Sequence, residues 1–135
     1  MFRLLVVEDN ADLYQDYFLR LFENLLPMEE ISLVHVPTLR AACQALLEPW
    51  DFILMDYALG PKCDFREDIM VRDGADLTRF RRAVESDHDV AKAFILGTSS
   101  NQVGNRLIQE GGADNTLLKL QVVEMAQLIK EQMHA

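Results

Sequence analysis

Five strand-sized apolar runs, each followed by a segment of helical periodicity, fix what this chain can become. The runs are FRLLVV (2–7), ISLVHV (31–36), FILM (52–55), AFILG (93–97) and NTLLK (115–119). After the first, Leu13, Tyr17, Leu21 and Leu25 recur at helical spacing behind a capping Asn10, and Pro27 ends the helix. After the second, Thr38 caps a stripe of Leu39, Ala42, Cys43, Leu46 and Leu47 that stops at Pro49. Leu77, Phe80, Arg81 and Val84 mark a helix over 74–84, and a weaker one spans 101–110, with Gly104 costing about 1 kcal/mol relative to alanine. Val122, Met125, Ala126, Ile129 and Met133 share a face of a last helix over 121–133. A β-α unit repeated five times demands an α/β fold: a doubly wound, mostly parallel five-stranded sheet covered on both faces, a three-layer sandwich.

One span breaks the rhythm. Residues 57–73, YALGPKCDFREDIMVRD, far exceed the usual βα connection. Phe65, Ile69, Met70 and Val71 give this segment material to pack, so partial order is expected. The 135 residues suit one domain, and half of them are apolar, enough for a core. No apolar run approaches the length of a membrane span, and the acidic residues right after the first run exclude a signal peptide. Cys43 and Cys63 lack zinc or redox spacing and read as reduced thiols in a cytoplasm, Cys43 packed in a helix and Cys63 exposed on the loop. The formal charge of −9 argues against direct binding of nucleic acid. The densest basic group, Arg79, Arg81 and Arg82, reads as a solvated helix face.

In open parallel sheets, ligands bind outside the carboxyl ends of the strands. There the sequence places Glu8 and Asp9 after the first strand, Asp56 after the third, Thr98 after the fourth and Lys119 after the fifth. The second strand ends without chemistry, as an edge strand can. Singly, each residue has a bland use as a helix cap, a first-turn acid or a surface charge. Together, three crowded carboxylates repel unless a cation offsets them. Mg²⁺ suits oxygen ligands and a phosphoryl group. Lys119 adds mobile positive charge, Thr98 a hydroxyl, and Asp56 a carboxylate able to act as a nucleophile.

LLVVEDN, FILMDYAL, FILGTSS and GADNTLLK together resemble the receiver domains of bacterial response regulators, the phosphoacceptors of two-component signalling, over nearly the whole chain. The resemblance implies the strand order 2-1-3-4-5. It implies that Asp56 accepts a phosphoryl group from a sensor histidine kinase or histidine phosphotransfer protein. Mg²⁺, or Mn²⁺ in its place, would be held by Asp9, Asp56 and the backbone carbonyl of Ala58, with Glu8 helping through water. Lys119 would contact the acyl phosphate and Thr98 would swing toward it. Such a protein is not a conventional enzyme, although family members slowly hydrolyse their own aspartyl phosphate.

Three departures set this chain off the main line. Leu120 stands where a proline usually follows the lysine, which predicts a trans peptide and leaves the reach of Lys119 open. Thr116 occupies the position of the family's switch aromatic, so the usual output coupling is absent or altered. The long 57–73 segment replaces a short loop, with Asp73-Gly74 as the displaced counterpart of its glycine signal, and is the candidate surface for a downstream protein. The chain ends where its fifth helix should, so output is expected by protein contact, unless the sequence is a piece of a longer polypeptide. A dimer, if formed, is expected to be weak or dependent on phosphorylation. The rival reading is a receiver-like interaction module that is never phosphorylated. A flavin site fits poorly, because VVEDNAD is acidic where a phosphate loop would lie.

Overall fold

A computed structural model describes residues 1–60, 63–66 and 69–135, with only the backbone of 63–66 and 69. The expected exposure of Cys63 and the packing of Phe65 and Ile69 lie outside the described residues. Strands β1 (Phe2–Val7), β2 (Ile31–Val36) and β3 (Phe52–Met55) match the first three runs. Helix α1 covers 11–25, α-helical at both ends and π-wound over Tyr14–Leu19. Helix α2 is Leu39–Ala45, and the caps are those expected: Asn10 Oδ1 accepts from Leu13 N at 3.0 Å and Thr38 Oγ1 from Ala41 N at 3.1 Å.

The 57–73 segment contains an antiparallel pair, β4 (Cys63–Arg66) and β5 (Ile69–Val71), which the sequence reading missed. Helix α3 (Gly74–Asp87) follows, capped by Asp73, whose Oδ1 accepts from Asp76 N at 2.9 Å. Then come β6 (Phe94–Gly97), α4 (Gln102–Glu110), β7 (Asn115–Thr116) and α5 (Val122–Met133). The five-stranded sheet has the order β2-β1-β3-β6-β7 with every pairing parallel, which is the expected doubly wound 2-1-3-4-5 arrangement.

Alternation along each strand divides the core between the two faces. Leu5, Val7, Ile53, Met55 and Ile95 point to the face covered by α2, α3 and α4. Leu4, Val6, Phe52, Leu54 and Leu96 point to the face covered by α1 and α5, where Phe18, Phe22, Met125 and Ile129 meet them. Most of these side chains are wholly buried, each stabilising the fold by about 1.5–3 kcal/mol relative to exposure.

Two expectations fail. The last strand, expected over 115–119, is in register with β6 only at Asn115 and Thr116 and makes one bond more, from Leu117 N, because β6 ends at Gly97. Beyond that point Leu118 N donates to Gln121 Oε1 at 2.8 Å, and the chain turns out of the sheet. Of the arginine cluster only Arg79 is on a solvated face; Arg81 and Arg82 are not. Arg81 is fully buried and donates to the carbonyls of Leu46 and Glu48 and to Glu85, while Arg82 reaches Gly112, Ala93 and Asp114. These two side chains tie α3 to the ends of the elements opposite the site.

Candidate functional site

Strand register brings the polar residues together. Val7 pairs with Met55 and Met55 with Gly97, so the next residues, Glu8, Asp56 and Thr98, form a row just past the strand ends. Backbone bonds carry the ladder one step further: Asp56 N to Val7 O at 3.1 Å, Thr98 N to Met55 O at 2.9 Å, and Leu117 N to Gly97 O at 2.8 Å. Ala58 is exposed on the same rim, two residues beyond Asp56.

The acids meet. One carboxylate oxygen from each of Glu8, Asp9 and Asp56 lies within 4.8 Å of the others, with Glu8 and Asp56 buried and Asp9 exposed. Lys119 reaches in despite its distance from the sheet, its Nζ 3.0 Å from Asp56 Oδ2 and 3.2 Å from Glu8 Oε1. All peptide bonds among the described residues are trans, so the Lys119–Leu120 link does not keep the amine out. Asp56 Oδ1 accepts from the Tyr57 N–H at 2.8 Å. Thr98 is buried beside this group and does not cap α4, a role taken by Asn101.

One ammonium does not balance three carboxylates. Burial, then the Asp56 charge, pushes the Glu8 carboxyl up to about 7, with Lys119 pulling the other way. Burial opposes the charge on Lys119, but Asp56 and Glu8 outweigh it and raise its pKa. Glu8 Oε2 is buried without a hydrogen-bond partner among the described residues. A buried carboxylate oxygen left over in an all-oxygen acid cluster fits a hard divalent cation, and suits Mg²⁺ by donor type.

Two glycines allow close approach around Asp56. A Cβ at Gly74 would stand 1.9 Å from the Asp56 carbonyl oxygen, and Gly74 N donates to Tyr57 O at 2.9 Å, so α3 starts directly against the acid's own backbone. Gly104, a weak point in the helix pattern, lies where a Cβ would meet the Tyr57 ring and Ser99 Oγ at under 3 Å.

Sequence reasoning missed two residues. His35, on the strand said to end without chemistry, has its Nε2 2.6 Å from the backbone oxygen of Glu8. Asn105 is buried; its Oδ1 accepts from Ser99 N at 2.9 Å, and its Nδ2 donates to Ser99 O at 3.2 Å and Leu117 O at 2.9 Å. Thr116, where the resemblance implies an altered switch position, lays its Cγ2 over Gly97. An open groove of about 440 Å³ runs past Asn105, Arg106, Thr116 and Gln121.

The molecule is thus a doubly wound α/β protein with an acid cluster and a lysine at the carboxyl edge of its sheet. Its fold is that of response regulator receiver domains, as the resemblance implied. The receiver domain of a sensor histidine kinase from Pseudomonas aeruginosa PAO1, solved with magnesium ion coordinated in its active-site cleft, is similar at a TM-score of 0.73 and 22% identity, covering 99% of this chain and 98% of that one. A Burkholderia pseudomallei response regulator with a phosphorylated aspartic acid, calcium ion and citrate gives 0.66 and 19%, over 98% of this chain and 73% of that one. A two-component response regulator from Clostridium difficile gives 0.67 and 16%, over the whole of both chains. No protein-family profile matches the sequence, and no curated protein is significantly similar to it. Among the described residues, no helix is long and apolar enough to cross a membrane.

Proposed function

We propose that this protein is a phosphoacceptor of two-component signalling, taking a phosphoryl group from a phosphohistidine onto Asp56. The observation that carries the reading is the meeting of three carboxylates from two strand ends with Lys119, beside a buried, unpartnered carboxylate oxygen. Neighbours of the same fold are a magnesium-bound receiver and a response regulator phosphorylated on aspartate.

An Asp56 carboxylate oxygen attacks phosphorus, the P–O bond forms as the P–N bond breaks, and the imidazole leaves to the donor protein. Glu8, Asp9, Asp56 and the Ala58 carbonyl are the groups that would hold Mg²⁺, or Mn²⁺ in its place. A bound divalent ion supplies charge neutralisation for the phosphoryl oxygens. Lys119, now paired with two acids, donates to the incoming group, and the Thr98 hydroxyl donates to one of its oxygens. Residues 57–73, including the β4–β5 pair, are the contact surface for a downstream protein in a cytoplasmic setting. Deleting 60–72 should abolish partner binding while phosphorylation persists.

Acetyl phosphate or phosphoramidate with Mg²⁺, read by intact-mass spectrometry, tests the reading. The mass should rise by one phosphoryl group in the wild type and stay unchanged in Asp56→Asn. No gain with any donor would overturn it in favour of an unphosphorylated interaction module.

A further inference from the structure

We propose that His35 is a positioning residue for the acid cluster, fixing the Glu8–Asp9 peptide through the Glu8 carbonyl and so setting where both carboxylates point. The inference rests on the reading of that cluster as a divalent-cation site.

The main chain of Glu8 is held from the β2 side at both of its polar groups. Its N–H donates to Val36 O at 3.2 Å and its carbonyl oxygen lies 2.6 Å from His35 Nε2. A carbonyl can only accept, so Nε2 carries the proton and donates. This bond lies beyond the last β1–β2 pairing, Val7 with Val36, and adds a side-chain hold on the carbonyl side of Glu8 to the backbone bond on its N–H side. Its effect is directional. The Glu8 carbonyl belongs to the peptide that leads into Asp9, so turning that plane swings Asp9 relative to Glu8 and Asp56.

The imidazole is itself held. The Tyr14 ring stacks on His35 with centroids 4.0 Å apart and planes 10° from parallel. Tyr14 opens the π-wound stretch of α1, and the wider π turn spreads it further from Tyr17 round the helix axis than an α turn would. Tyr17 serves the other side, its hydroxyl donating to Leu120 O at 3.1 Å, next to Lys119. One helix therefore braces the acid pair through His35 and the lysine loop through Tyr17.

The chosen variants separate the donor from the ring. His35→Phe keeps a ring for Tyr14 and loses the bond; His35→Gln keeps a donor of similar reach and loses the ring. Magnesium affinity is measured by calorimetry and the melting temperature without metal. His35→Phe should bind Mg²⁺ about tenfold more weakly, the scale of lost support behind a metal ligand, while His35→Gln stays within about twofold of the wild type. Equal binding by His35→Phe and the wild type would overturn the positioning role and leave the metal site standing. A wild type that takes up no Mg²⁺ would overturn both. Should His35→Phe fail to fold, His35→Asn, whose amide stops short of the carbonyl, takes its place against the same two outcomes.

Discussion

Replacing Gly74 with alanine tests how tightly α3 is seated on the acceptor acid. The new methyl would stand 1.9 Å from the Asp56 carbonyl oxygen, 1.5 Å short of the 3.4 Å at which ordinary contact begins. The obstacle is backbone in the row that holds the sheet together, so no side chain can rotate away. Either the first turn of α3 lifts, straining the Gly74 N to Tyr57 O bond, or Asp56 is displaced. Overpacking of this kind costs about 1–3 kcal/mol, and the weakened hydrogen bond about 1 kcal/mol more. Alanine returns less than about 1 kcal/mol in helix propensity, since the site is in the first turn. The net loss should be about 2–3 kcal/mol, lowering the melting temperature by about 6–10 °C. Differential scanning calorimetry measures the loss, and phosphoryl uptake from acetyl phosphate should slow in the same variant. A melting point equal to or above that of the wild type would refute the close seating.

Three further outcomes follow from the structure. Glu8 has a folded pKa of about 7 against an ordinary 4.5, so the metal-free fold binds the extra proton between those values. Stability should therefore be unaffected by Glu8 below pH 4.5 and fall as pH rises to 7, by at most about 3 kcal/mol. Urea denaturation at pH 5 and 8 checks this, with Mg²⁺ restoring the loss and Glu8→Gln flattening the profile. Arg81→Met should cost about 3 kcal/mol in urea unfolding, because the carbonyls of Leu46 and Glu48 lose their buried donor. Glu85 is not stranded, since it keeps Arg82. Trp50 fluorescence should not respond to Mg²⁺, as the indole sits at the opposite end of β3, about 20 Å from Asp56 along the strand. It is held there by Ala45 O and stacked on by Arg3. A tryptophan introduced by Tyr57→Trp should respond.

The strands and the acid rim were legible because both depend on local pattern. Unbroken apolar runs, buried on both faces, mark β1 and β3, and register alone then puts Glu8 beside Asp56. Features set by distant partners were not. Arg81 falls on a helical stripe like any amphipathic arginine, and nothing near it in sequence announces carbonyls more than thirty residues away. His35 lies on an edge strand, and its partner is a main-chain oxygen, which has no residue signature. The end of β7 is decided by where β6 stops. The β4–β5 pair has strands of three and four residues, with Glu67-Asp68 between them in place of a glycine or asparagine turn signal. Leu120 leaves the reach of Lys119 open in the sequence, yet a trans chain delivers the amine all the same.

The carboxamide of Asn105 grips both polar groups of the Ser99 main chain and one carbonyl just ahead of Lys119. The segments bearing Thr98 and Lys119 are thereby riveted into a single plate. Loosening that one carboxamide would free both segments at once, and α4, which carries it, is where the two are joined.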